Sequence, residues 1–293
     1  MLRCTYIVLI HNNESNIIRL VNSLKKISGN FHKEFIFVDD GSSDNSLKIL
    51  KEQVNDIART TIITQEMQGS SISINKALSL VTGDYIHFVE GNEILEENST
   101  NLLIDGCLKS GAQVALGQIA TDLIEETKLP IHIVENSYQV ISTPINEILI
   151  NKIPQIQNVG KSGSLVHSAL LDRIGRADSS IYTLNISLSL RCAKYSKFVL
   201  LSQNVTYINN TELSEDIKFI NYNHLKAIYN FSQENLEIVS KLSPELLMVL
   251  SRIPAKNSCK IKYLFKSFVA KYIKSIPLSS ILTLYKQELE KLF

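Results

Sequence analysis

Four cysteines, Cys4, Cys107, Cys192 and Cys259, are scattered along the 293 residues with no C-x-x-C pair and no histidine at zinc-ligand spacing. That excludes a disulfide framework and a zinc ribbon, and it suits a reduced, cytosolic compartment. No apolar run approaches the roughly 20 residues a membrane-spanning helix needs. The first such run, Tyr6 to Ile10, stops at His11 and two asparagines, too short for a signal-peptide core, and reads as a buried strand. Charge of either sign is also missing in excess. With 30 basic and 29 acidic residues the net charge is +1, so no nucleic-acid footprint or acidic tail is written into the chain as a whole. There is no G-x-G-x-x-G phosphate loop, no nucleophile-elbow serine and no histidine with a partner carboxylate, which argues against oxidoreductase and hydrolase chemistry. Internal repeats and low-complexity segments are absent.

What is present is an alternation. Tyr6 to Ile10, Glu34 to Val38, Thr60 to Thr64 and Tyr85 to Val89 are short apolar or β-branched runs. Between them lie Ile17, Ile18, Val21, Leu24 and Ile27, then Leu47, Leu50 and Val54, then about Ser73 to Val81, all at helical spacing. Strands that are apolar throughout and alternate with helices predict an α/β fold with a mostly parallel sheet covered on both faces. Ligands collect at the carboxyl ends of such strands. Three polar breaks fall there: "HNNES" from His11, "DDGSSD" from Asp39 and "EGNE" from Glu90. Further on, Lys128 to Ile156 is irregular and carries three prolines, suggesting the wall of an acceptor pocket. Ser162 to Gly175 reads as a strand and a short helix ended by glycine, Asn185 to Lys194 as a helix, and Lys197 to Ile208 as an edge strand pair. From about Ser214 the periodicity is helical, which places a domain over 1–210 and a helical extension over 211–293.

Asp39, Asp40 and Gly41 put two carboxylates and a close backbone approach at the ligand edge of the sheet. The plainer alternative is a turn, with Ser43 and Asp44 capping the next helix; for those two the cap is preferred, for Asp40 the ligand.

These motifs resemble those of the family-two glycosyltransferases, whose fold is a single GT-A-like, nucleotide-sugar-binding α/β domain. Asn12, Asn13 and Glu14 stand at the family's first strand end, "VDDGSSD" from Val38 matches its second, and Asn75 lies eight residues before "GDYI" at Gly83, as in its third. The ordered set covers the first third of the chain. The resemblance implies that Asn13, Glu14, Asp39, Asp40 and Asn75 surround the nucleotide, with Asp40 accepting a hydrogen bond from the base ring N–H.

Three departures stand against it. Where the family carries aspartates that hold Mg²⁺ or Mn²⁺ against the diphosphate, this chain has Glu90, Gly91, Asn92 and Glu93. Glu90, Asn92 and Glu93 then make either a weakened metal site, with a neutral carbonyl at the main ligand position, or an ordinary polar turn. The Glu-Asp pair that supplies the general base, counted back from "LSLR" at Leu188, falls on Leu184 and Asn185, and an amide does not serve as a base. Asp178 is a poor substitute candidate. Ile74 replaces an arginine that would reach a phosphate, and Lys76 lies on another helix face. His87 and His167 read as packing or surface residues.

Residues 256–274 contain lysines and no acidic side chain, and on a helix they set an aromatic stripe against a basic surround. Such a helix packs on its own domain or lies peripherally on the inner face of an anionic membrane. The last helix, 276–293, suits self-association into a homo-oligomer. Two functions follow from the resemblance. One is an inverting transfer of sugar from a nucleotide sugar, a UDP-sugar by preference, to a glycan or lipid-linked acceptor in surface polysaccharide synthesis. The other is a catalytically impaired relative that binds nucleotide sugar or acts as a scaffold. No nucleic-acid partner is expected.

Overall fold

The computed structural model describes residues 1–120, 138–141, 159–175, 177 and 185–208. All of them belong to one compact unit, Met1–Ser142 with Asn158–Leu213. The other unit, Thr143–Gln157 with Ser214–Phe293, lies outside the described residues, and with it the expected boundary near 210, the helical extension and the 256–274 stretch.

The chain runs β1 (Arg3–Ile10), α1 (Ile17–Lys26), β2 (His32–Asp40), α2 (Ser46–Gln53), β3 (Thr60–Gln65), α3 (Ser70–Leu78), β4 (Tyr85–Glu90), β5 (Glu93–Leu95), α4 (Ser99–Ser110), β6 (Val114–Ala120), β7 (Tyr138–Ile141), β8 (Ser164–His167), α5 (Ser168–Ile174), α6 (Asn185–Tyr195) and β9 (Phe198–Ile208). The strands form one sheet in the order β3-β2-β1-β4-β8-β6-β9-β5, with β7 against β9. β1 is parallel to both β2 and β4, and β2 to β3, so these four strands end at the same edge. Their helical connections are what a parallel crossover requires.

Burial follows the apolar pattern. Tyr6, Val8, Phe35 and Phe37 of β1 and β2 pack with Ile17, Leu20, Val21 and Leu24 of α1 in the core. Ile18, part of the same sequence pattern, faces solvent at 48% exposure, because an α-helix on a sheet buries one stripe only. β3 is not buried throughout as expected; it ends the order of the sheet, and its residues are mostly half-buried or exposed.

Beyond β4 the sheet turns mixed. β8 is antiparallel to β4 and to β6. The expected edge strand pair over Lys197 to Ile208 is instead one 11-residue strand, β9, which runs between β6 and β5. Irregular register against β6 near Gln118 lets a polar stretch that looks like a turn stay within the strand. The predicted strand and helix between Ser162 and Gly175 are present as β8 and α5.

Candidate functional site

The carboxyl edge of β1, β2, β3 and β4 gathers most of the polar breaks singled out in the sequence. At the end of β1, Asn12 takes a left-handed conformation with φ 52, which asparagine tolerates better than most residues. Its side-chain oxygen accepts from the Ser43 N–H at 2.8 Å, and its own N–H donates to Ser42 Oγ at 3.0 Å, so the first two breaks are laced together. Asn13 N–H donates to Ser46 Oγ, and its side-chain oxygen accepts from the His11 N–H. A Cβ at Gly91 would run into the Asn13 amide, so the first break also packs against the third. Glu14 is tied to the loop that follows β2. Its carboxylate accepts from the backbone and side-chain nitrogens of Asn45 at 2.9 and 3.0 Å, before the first turn of α2. The N-cap of α2 is Asn45, not Ser43 or Asp44, but Asp44 just ahead of it holds the helix entry: one oxygen accepts from the Ser46 N–H and the other from the Glu14 N–H. Against a desolvation that raises it, these bonds hold its carboxyl below the usual range.

At the end of β2 both aspartates are buried, Asp39 to 3% exposure and Asp40 to 9%. Asp40 Oδ1 accepts from Gln65 Nε2 at 2.6 Å and the Gln68 N–H at 2.8 Å, and Oδ2 from the Gly69 N–H at 2.8 Å. The carboxylate thus fixes the loop that enters α3. It offers about four acceptor sites in all, so one is left over. Asp39 Oδ2 accepts weakly from Ser42 N–H at 3.4 Å, while Oδ1 is buried and has no hydrogen-bond partner among the described residues. A buried carboxylate oxygen with nothing to accept from is costly and marks a place where a further group belongs. Gly41 permits the turn that follows them: its φ is +73, and a Cβ would sit 2.6 Å from the Met67 backbone nitrogen.

The third break is where the structure departs most from expectation. Glu93 points inward, at 1% exposure. Its Oε1 accepts from the Glu90 N–H at 2.7 Å and from the Ser162 hydroxyl, and its Oε2 from Thr206 Oγ1 at 2.8 Å. Burial first, then the Glu90 charge, push its pKa up from 4.5 to about 8, outweighing these hydrogen bonds. Glu90 stays half-buried, accepts from Ser162 Oγ at 3.2 Å and has Lys161 Nζ 3.9 Å from its other oxygen. A divalent cation wants several anionic oxygens. Here one carboxylate is spent on the protein and the other already faces an ammonium. Among the described residues no three His, Cys, Asp or Glu side chains come together to hold a metal ion. The set Glu90, Asn92 and Glu93 therefore does not fit a divalent metal site.

Asn75 also serves the fold. Its amide donates to the Ala177 carbonyl and accepts from the Ala177 N–H, both at 2.8 Å, latching α3 to the segment after α5. Ile74 is fully buried and Lys76 exposed, so no cation replaces the missing arginine at that point of α3. Asn185 opens α6, and Asp178 lies outside the described residues. His87 is fully buried beside the Tyr6 ring, with Nδ1 3.0 Å from Thr100 Oγ1, and His167 caps α5 by accepting from the Ala169 N–H. Lys161, Ser162 and Thr206 were not visible as site residues in the sequence. The nearest signal was "GKSGS", a lysine in a glycine turn just before a strand.

The profile of glycosyl transferase family 2 matches residues 5–168. Glycosyltransferase GlyA of Streptococcus pneumoniae is 25% identical over 219 residues, 71% of this chain and 30% of GlyA. Glycosyltransferase GlyG of the same organism is 31% identical over 113 residues, 38% of this chain and 37% of GlyG. The alignments thus span only about a third of these curated relatives. Among solved structures, S. aureus TarS superposes with a TM-score of 0.65 at 16% identity, over 91% of this chain and 46% of TarS. TarS 1-349 in complex with UDP-GlcNAc superposes with a TM-score of 0.59 at 18% identity, over 98% of this chain and 92% of that one.

Proposed function

The chain belongs to glycosyl transferase family 2 and has its GT-A fold, and from that premise we propose that it takes a UDP-sugar as donor and passes the sugar to a glycan or lipid-linked acceptor. The observation that carries the reading is the buried pair Asp39 and Asp40 at the carboxyl end of β2, where, among the described residues, Asp39 Oδ1 has no partner and one acceptor site on Asp40 is left over. An acceptor at that place suits the ring N–H of a pyrimidine base, and Asn13 and the Gly41 turn would form the adjoining wall. That TarS 1-349 has been solved with UDP-GlcNAc supports the choice of a uridine nucleotide. Family members commonly use a divalent metal. Such an ion would stabilise the departing diphosphate, but the residues described here do not suit it and no step is assigned to it.

A second reading is favoured by Asn185, which stands where the family's general base is expected. Losing a general base forfeits about 10²- to 10⁴-fold in rate, so the chain would bind nucleotide sugar and turn over poorly. Membrane contact through 256–274 and self-association through 276–293 remain part of the proposal, carried by sequence pattern.

Calorimetric titration with UDP tests the nucleotide reading, with Asp40→Ala beside the wild type and a thermal melt to confirm folding. The expected result is binding by the wild type that falls at least tenfold in the variant. No binding of UDP by the wild type would remove the nucleotide reading. Release of UDP from UDP-GlcNAc in the presence of acceptor glycans then separates transfer from binding alone.

A further inference from the structure

We propose that Lys161, rather than a divalent cation, neutralises the nucleotide diphosphate in this protein, so that donor binding is independent of metal. The inference rests on the nucleotide reading above and deepens it.

Topology brings Lys161 to the site. β8 runs antiparallel to β4 with Ser164 opposite Phe88, so the residues just before β8 lie beside those just after β4. Lys161 and Ser162 therefore meet Glu90 and Glu93. The turn is rigidly placed, because Ser164 donates to the Lys161 carbonyl from both its backbone N–H at 3.1 Å and its hydroxyl at 2.6 Å. Ser162 meanwhile bonds both glutamates. The ammonium is not tied down in the same way. At 3.9 Å from Glu90 Oε1 it is beyond hydrogen-bond distance, and its side chain is 26% exposed. It is a cation held near the carboxyl edge of the sheet and able to exchange a loose carboxylate for a phosphate.

Charge decides between the two cations. Both Glu93 oxygens accept from Glu90 N–H, Ser162 and Thr206, and position 92 offers a neutral amide. Of these three residues only Glu90 is left to attract a divalent ion, and Lys161 lies against it. An ion bound there would have to displace a positive charge a few ångströms away while gaining one anionic ligand. A diphosphate arriving without metal finds the ammonium already in place, and lysine is well suited to phosphate as a point charge.

The experiment is calorimetry with UDP and with uridine, each in EDTA and in Mn²⁺, on the wild type, Lys161→Met and Glu90→Gln. Expected is wild-type UDP affinity that changes less than twofold between EDTA and Mn²⁺. Lys161→Met is expected to weaken UDP tenfold or more while leaving uridine binding unchanged. Glu90→Gln, which removes the carboxylate competing for the ammonium, is expected to tighten UDP in EDTA. UDP binding that requires Mn²⁺, or a Glu90→Gln variant that loses it, would overturn the proposal and leave the nucleotide reading standing. Lys161→Met binding UDP like the wild type would do the same. Failure of the wild type to bind UDP under either condition would remove both. Should Lys161→Met not fold, Glu90→Gln and the metal comparison still decide the question.

Discussion

Replacing Glu93 by glutamine tests whether the third polar break holds a buried acid or a metal ligand. Glu93 is fully enclosed, and its pKa rises from 4.5 to about 8 through burial and then through the Glu90 charge. The protonated form has a route to satisfaction: its O–H can donate to Thr206 Oγ1 while the Thr206 hydroxyl donates to the Ile94 carbonyl, 3.2 Å away. A raised acid pKa means that the folded state binds the proton more tightly than the unfolded chain. Its contribution to stability is therefore full below about pH 4.5 and is lost as pH rises through about 8. At about 1.4 kcal/mol per pKa unit, the loss over that window is on the order of 5 kcal/mol. Glutamine keeps the shape, donates to Thr206 with its amide and cannot ionise. Urea denaturation of both proteins from pH 5 to pH 9, at constant ionic strength, reads the difference directly, because every other titrating group is shared. Glu93→Gln should gain on the wild type from pH 5 to about pH 8 and level off above it. Parallel curves would refute the buried-acid reading. So would Mn²⁺ raising the melting temperature of the wild type but not of Glu93→Gln, since the carboxylate would then be ionised and coordinating.

Two other outcomes follow from buried polar groups. His87 is fully buried and desolvation lowers its pKa from 6.5 to about 3, so stability is lost as pH falls from 6.5 toward 3; His87→Phe should flatten that acid limb in circular-dichroism melts, and an unchanged limb would assign it to other groups. Asn75→Ala removes two hydrogen bonds and strands the Ala177 backbone, which should cost about 2 kcal/mol in urea denaturation; a change below about 0.5 kcal/mol would show that the latch carries no load.

Legibility in the sequence followed distance along the chain. The four strands that end at the site edge, and the break after three of them, are local patterns: a β-branched run, then asparagines or an Asp-Asp-Gly turn, then an apolar helical stripe. The run from β5 through α4 to β6 left little signal, since β5 is three residues long and α4 mixes serine, threonine and asparagine with its apolar positions. Asp40 stood out in the sequence as a candidate site residue, but its hold on the Gln68 and Gly69 backbone did not. Glu14 and Asn75 carry the right residue types at the right spacing, yet their hydrogen bonds go to the α2 entry and to Ala177.

By itself, then, the sequence determined the alternating architecture, the edge at which the polar breaks gather and the family, because each is encoded in short-range periodicity and in ordered motifs. Only the tertiary structure decided which carboxylates remain available there. Burial turned Glu93 inward to Ser162 and Thr206, and the antiparallel return of β8 set Lys161 against Glu90. Those pairings join residues 69 to 113 positions apart, and the charge state of a carboxyl depends on its enclosure and its neighbours, which no local pattern records.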